Sequence, residues 1–210
     1  MIVGSALGFG LLVSEFAYSQ STQPGLSAEQ LVGQLRQFRA SLPATAPSNG
    51  VPDPTEQKRR SVYDQLWMLG PAALPALNVG LADPDVQVRR NVALFLNAAA
   101  GDWYQLTRPR LDVRGCLTAL IAALTDSDTR VRELAAQAVG AIGPEASPAV
   151  PALVALLGSA EEGSRNSACI GLTGIGPSAH AALPALREAL FDPSPAVKRF
   201  AQRAIDTIER

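Results

Sequence analysis

Trp103 and Tyr104, followed by Arg108, Arg110 and Arg114, put two aromatic rings and three guanidinium groups into one short stretch, "GDWYQLTRPRLDVR". These side chains suit binding rather than bond-breaking. Rings bury large areas, guanidinium forks take carboxylates in pairs, and Trp, Tyr and Arg dominate interface hot spots. A second reading stands beside this one: Trp103 folds back over a helix end as local packing.

Side chains suited to reaction chemistry are sparse. His180 is the single histidine, in "PSAHAAL", with no Cys, His or acidic partner at ligand spacing, and it reads as a surface or capping residue. Cys116 and Cys169 lie 53 residues apart without a Cys-x-x-Cys pair, which leaves zinc and thioredoxin-like chemistry without support. They align with Ala149 and Ala136, so small-residue packing explains them better than a disulfide. There is no acidic cluster spaced for a metal, no Ser/His/Asp set, no phosphate-cradling Gly loop and no carboxylate pair flanking a pocket. The expectation is therefore no catalytic residue, no metal and no cofactor, with the glycines placed at helix ends.

The bulk numbers point the same way. A chain of 210 residues, 47% hydrophobic, is long enough for one domain or a short repeat array. A net charge of −1 argues against nucleic-acid binding, which normally shows a basic excess. Aromatics are only 5% while Ala, Leu and Val abound, a composition for closely packed helices rather than sandwich strands.

The elements that must position these residues come from an internal repeat. "AQAVGAIGPEASPAVPALVALL" at 136–157 returns thirty-three residues later as "CIGLTGIGPSAHAALPALREAL". Asp83, Asp126 and Asp192 occupy one register position, and Arg89, Arg132, Arg165 and Lys198 another, with Arg59 at the arginine position of a degenerate first copy. Leucines such as Leu74, Leu77 and Leu81 form one helical stripe per copy. Val131, Ala135, Val139 and Ile142 form a second. Asp or Ser between the stripes can accept orphan N–H groups of the next helix. The "GP" after the second stripe is a stop, with Gly as the left-handed cap. First helices are expected near 27–39, 72–81, 115–124, 148–157 and 181–190, second helices near 56–69, 86–98, 129–141, 162–174 and 195–209. One helix pair cannot bury its stripes, but a stack of pairs can.

The phrase "LTDSDTRVRELAAQAVGAIGPEASPAVPALVALL" resembles HEAT repeats, in particular the short bacterial bilin-lyase-type (PBS lyase) HEAT-like repeats, over roughly residues 55 to 210. The resemblance implies an all-α, right-handed α-α superhelix of about five antiparallel helix pairs. It also implies an arginine–aspartate ladder, placing Arg89, Arg132 and Lys198 against Asp83, Asp126 and Asp192 in some neighbour pairing. Ser159 replaces the aspartate and Ser164 the valine in the copy carrying Arg165, so that copy is expected to be the softest joint. Di-iron hydroxylases of this general type use His-Glu pairs, and this chain has no His-Glu dipeptide.

Residues 1–19 read as a signal peptide: an apolar run after Met1, too short at about 18 Å to span a bilayer of about 30 Å, followed by Ala17-Tyr18-Ser19. No Lys or Arg precedes the run, which leaves an internal start, an uncleaved anchor or a frayed helix as alternatives. Export to a periplasm follows from a signal, a cytoplasmic location from its lack. Residues 20–54 then hold a capping helix and a Pro/Ser-rich loop, and 55–210 the repeats, with the expanded loop at 99–114. The second helices would line a concave face. Its solvent row is Arg60, Arg90, Glu133, Asn166 and Arg199, beside Asp64, Leu94, Gln137, Ile170 and Arg203. The mixed charge along it suits a protein or peptide partner better than phosphates, with a merely solvated face as the other reading. The function expected is a non-catalytic scaffold or adaptor, a monomer or part of a larger complex; the alternative is a bilin-lyase-like accessory or chaperone for a cofactor-bearing protein.

Overall fold

The computed structural model describes residues 25–39, 54–101 and 110–210. The expectations for 1–19, the loop 40–53 and Trp103, Tyr104 and Arg108 lie outside these residues. Ten α-helices are present among the described residues: α1 (Ala28–Gln34), α2 (Pro54–Leu69), α3 (Leu74–Gly80), α4 (Val86–Ala100), α5 (Leu117–Ala123), α6 (Thr129–Ile142), α7 (Val150–Leu157), α8 (Glu162–Ile175), α9 (Leu183–Ala189) and α10 (Pro195–Ile208). They form five pairs stacked as a helical-repeat solenoid, with α4, α6, α8 and α10 side by side as the second-helix layer. None is long and apolar enough to cross a membrane.

The first helices are shorter than their stripes suggest. Four of them, α3, α5, α7 and α9, open with a 3-10 turn, such as Gly70–Ala73, Pro144–Ala149 and Gly176–Ala182, before the α-helix proper, whereas in α1 the 3-10 turn follows the helix. Pro75, Pro151 and Pro184 sit in the first turn of α3, α7 and α9, and proline has no N–H for an α ladder to run through. Thr118 holds the equivalent place in α5, yet the turn Arg114–Cys116 still precedes it. Packing therefore sets this break, and proline fits it.

A glycine at positive φ ends α6 and α8, but not as a left-handed helical cap. Gly143 has φ 91° and ψ −150°, and Gly176 has φ 66° and ψ −142°. Positive φ with extended ψ is a region reserved for glycine, so the stop is stricter than expected.

Both stripes go inward. Leu77, Leu120, Leu153 and Leu186 from the first helices, and Val88, Val131, Ala135, Val139, Val197 and Ala201 from the second, are fully buried. At the N-terminal end the core is aromatic: Tyr63 and Trp67 of α2 meet Phe95 of α4 edge-on, with centroids 5.3 and 5.9 Å away. Buried Asn91 ties this end together. Its Nδ2 donates to the carbonyls of Leu35 (3.1 Å), Phe38 (2.8 Å) and Gln87 (2.8 Å), and the Tyr63 hydroxyl donates to its backbone oxygen at 2.9 Å. The bonds to Leu35 and Phe38 tie the chain just past α1 to α4.

Not all glycines mark helix ends. Gly140 lies inside α6, and Gly171 and Gly174 inside α8, where the two backbones touch: a Cβ on Gly174 would stand 2.2 Å from the Gly140 oxygen, and one on Gly171 2.8 Å from the Ala136 oxygen. The expectation that glycines serve helix ends alone is corrected here, because close helix approach leaves no room for a methyl group.

Candidate interaction face and the ladder that holds it

The turn between paired helices is built in two steps. Asp83 Oδ1 accepts the N–H of Asp85 at 2.8 Å, and Asp85 Oδ1 in turn accepts that of Gln87 at 2.8 Å, capping α4. Asp126 holds Asp128, which caps α6 through Val131, and Asp192 holds Ser194, whose hydroxyl accepts from Ala196 and Val197 of α10. The repeated aspartate thus positions the cap and leaves its second oxygen facing the preceding repeat.

An arginine from that preceding repeat takes it. Arg89 Nε and Nη2 meet both oxygens of Asp126 at 2.8 and 3.1 Å, while its Nη1 donates to the Asp83 and Pro84 carbonyls of its own turn. Arg165 repeats the arrangement with Asp192, at 2.7 and 3.0 Å, and with the Ser159 and Ala160 carbonyls. One guanidinium closes its own turn and staples the next. The Arg165 fork holds the Asp192 carboxyl below its usual range.

Three rungs depart from the sequence pattern. Arg132 gives Nη1 to the Asp126 carbonyl at 2.8 Å, but its cross-repeat partner is Glu161 at 3.1 Å, because Ser159 has no carboxylate to offer. Ser159 instead donates its hydroxyl to Glu161 at 2.6 Å, and this bond is the main reason Glu161 sits below the usual carboxylate range. Arg59 does not meet Asp83 at ion-pair distance. It is buried against Glu56 at 2.6 Å and under the Tyr63 ring, while Arg36 reaches Asp83 at 3.3 Å and Asp85 at 3.2 Å. Lys198 is exposed and meets no aspartate at ion-pair distance among the described residues; it only adds to the field that lowers Asp192.

The second-helix face carries its own cross-links. Arg90 forks onto Asp128, with Nε to Oδ1 at 2.9 Å, and holds that carboxyl down. Arg130 meets Glu133 at 3.1 Å. Asn97 donates to Gln137 at 3.1 Å, and Gln137 to Ser167 at 3.3 Å, a chain joining α4, α6 and α8. Gln137 is therefore half-buried rather than a free contact, and Leu94, placed on the solvent row, is buried at 6% exposure because the helices lie so close. Arg199 and Arg203 are exposed.

Of the expanded loop, residues 110–114 fold back on the repeats. The Leu111 N–H donates to the Ala99 carbonyl at 3.0 Å and Val113 is buried, leaving Arg110 outside. Arg114 forks onto Asp112 at 2.9 and 2.7 Å and holds that carboxyl at about 2. His180 is exposed. Cys116 and Cys169 are buried free thiols, and burial raises them to about 11 and about 12, so neither is a ready nucleophile.

The pattern of repeats made the aspartates and arginines legible, but Arg36, Asn91 and Glu161 were missed. Arg36 lies in the first pair, outside the aligned copies, Asn91 stands where the later copies carry Leu134, Ser167 and Phe200, and Glu161 lies two residues beyond the one it replaces. The "GLTG" spacing of Gly171 and Gly174 was a signal available for the close approach.

Residues 105–173 match the family model of HEAT repeats. No curated protein matches the chain. Among solved structures, the complex of CpcE and CpcF of phycocyanin lyase from Nostoc sp. PCC7120 is similar at 22% identity and TM-score 0.60, covering 85% of this chain and 97% of that one. A designed armadillo repeat protein in complex with the peptide (KR)4 is similar at 20% identity and TM-score 0.59, covering 86% of this chain and 81% of that one. The archaeal HEAT-like repeats protein from Thermococcus onnurineus NA1 follows at 15% identity and TM-score 0.53, covering 89% and 67%. Residues 105–173 thus match HEAT repeats, and the described residues stack as a helical solenoid whose fold is similar to HEAT- and armadillo-type repeat structures.

Proposed function

We propose that this protein is a non-catalytic scaffold that holds another protein or peptide against the face formed by its second helices. The observation that carries the reading is the pinning of successive repeats. Arg36, Arg89, Arg132 and Arg165 each reach forward to a carboxylate of the next repeat, so α4, α6, α8 and α10 are held as one surface before any partner arrives. A surface fixed in advance loses less conformational freedom on binding. The designed armadillo repeat protein with its bound peptide supports the same use of this architecture. The loop carrying Trp103, Tyr104, Arg108 and Arg110 is a second contact in this reading. Removal of residues 1–19 on export completes it, and a mature chain beginning at Gln20 is the expected product; a mature chain retaining Met1 would refute export.

A photoreactive residue at Ile170 tests the face against one at Val79, which is 73% exposed on the first-helix layer. One discrete adduct from Ile170 and none from Val79 is expected. The same adducts from both positions, or none from Ile170, would remove the scaffold reading. The likeness to phycocyanin lyase favours a second reading, an accessory for a cofactor-bearing protein. That reading expects a visible absorption band to accompany the captured partner.

A further inference from the structure

On the earlier second helices the half-exposed charges are matched within the molecule. Arg60 meets Glu56 at 3.1 Å, Arg90 meets Asp128, and Glu133 meets Arg130 at 3.1 Å. The last helix departs from this balance. Arg199 and Arg203 stand one turn apart on the side of α10 opposite its buried stripe of Val197, Ala201, Ala204, Ile205 and Ile208. Both are exposed, and neither meets a carboxylate at ion-pair distance among the described residues.

The nearby acids are engaged elsewhere. Asp206 accepts from Gln202 at 2.8 Å, Glu209 from Arg187 at 2.8 Å, and Glu162 from the Ser194 hydroxyl at 2.8 Å. Thirty-three residues earlier, the neighbouring helix α8 places the neutral Asn166 and Ile170 at the matching positions. The Arg199 guanidinium lies over the Phe200 ring, 5.5 Å from its centroid, a contact that holds it in place without neutralising it. The result is a cationic couple beside an apolar contact, on a molecule whose net charge is −1.

From this couple we infer that the segment held by the second-helix face is an acidic stretch of polypeptide, with Arg199 and Arg203 taking two of its carboxylates. The claim rests on the scaffold reading and adds the partner's chemistry to it. Along α10 the two residues are separated by a rise of about 6 Å. Same-side carboxylates two residues apart in an extended chain are separated by about 6.8 Å, within reach of flexible guanidinium forks.

Fluorescence anisotropy of the full chain tests this with a labelled octaglutamate peptide, (KR)4, and an oligothymidylate of equal length. Octaglutamate is expected to bind, (KR)4 is not, and the double variant Arg199→Gln, Arg203→Gln should weaken binding about tenfold. Lys58→Glu changes net charge by the same two units at the far end and should leave affinity unchanged; circular dichroism checks that all variants fold. No octaglutamate binding, an equal loss in Lys58→Glu, or oligothymidylate bound as tightly would overturn the inference. The two claims separate in the Ile170 cross-linking assay. A partner captured equally by wild type and double variant leaves the scaffold standing and removes the acidic selection, whereas loss of the adduct in the double variant supports both.

Discussion

Arg165 and Asp192 meet through two hydrogen bonds, Nε to Oδ2 at 2.7 Å and Nη2 to Oδ1 at 3.0 Å, with both side chains largely withdrawn from water. One repeat earlier, Arg132 meets Glu161 at 3.1 Å, and the Glu161 side chain is 47% exposed against 9% for Asp192. The same guanidinium position therefore serves a sheltered joint and a wet one.

That difference sets unequal mutational costs. Asp192→Ala strands the Arg165 guanidinium and releases the Ser194 N–H, so a loss of about 2 kcal/mol is expected, below the full cost of a deeply buried broken pair. Glu161→Ala should barely move the urea midpoint, since water already competes for that carboxylate. Equal shifts for the two variants in urea unfolding would contradict the ranking.

Acid should loosen the joints in a defined window. The carboxyls of Asp128 and Asp192 are held below the ordinary value by hydrogen bonds from Arg90 and Arg165. Depressed folded-state values mean that the unfolded chain takes up protons first as pH falls. Their stabilisation is complete above about pH 5 and shrinks as pH drops through the unfolded aspartate value of about 3.9 and then through the lower folded values. A Tm level between pH 5 and 7, falling below pH 4, is expected, with a shallower fall for Asp192→Asn. A Tm that rises on acidification would refute this.

What the sequence made readable follows from what a repeat must preserve. Asp126, Arg132, Val131 and Gly143 recur because each turn and each buried stripe meets the same neighbour geometry again, so spacing alone exposes them. Arg36 and Asn91 serve the first pair, whose neighbours occur once, and no period could flag them. Glu161 escaped because its long side chain reaches back to a place that Ser159 leaves empty, a substitution of reach rather than register. The row expected along the second helices was readable only as register positions, and Leu94 and Gln137 are buried or bridged because α4, α6 and α8 pack more tightly than charge patterning reveals.

Close backbone approach gives glycine substitutions opposite signs. Alanine is the better helix former by up to about 1 kcal/mol. Gly33 has open space around it, so Gly33→Ala should stabilise by about 0.5–1 kcal/mol. Gly174→Ala drives a methyl group into the Gly140 backbone at 2.2 Å, forcing α6 and α8 apart for a net loss of about 2 kcal/mol. Thermal unfolding of the two variants decides this, and stabilisation by Gly174→Ala would show that the helices separate freely.

Ser164 supplies the converse case, a polar group where the repeat calls for a methyl. It is fully buried in α8 and its hydroxyl has no hydrogen-bond partner, while Val88, Val131 and Val197 fill the same register without exposure. A buried hydroxyl left unpaired costs about 1–3 kcal/mol. Ser164→Val removes that cost and adds apolar contact, offset in part by crowding where α8 lies against α6. A net gain of about 1 kcal/mol is expected, with Ser164→Ala gaining less because it deletes the hydroxyl without filling the space. Chemical denaturation of both variants separates the effects. If valine destabilises while alanine stabilises, the site has contracted around serine and the register argument fails there. If both destabilise, the hydroxyl contributes a bond that its surroundings do not show.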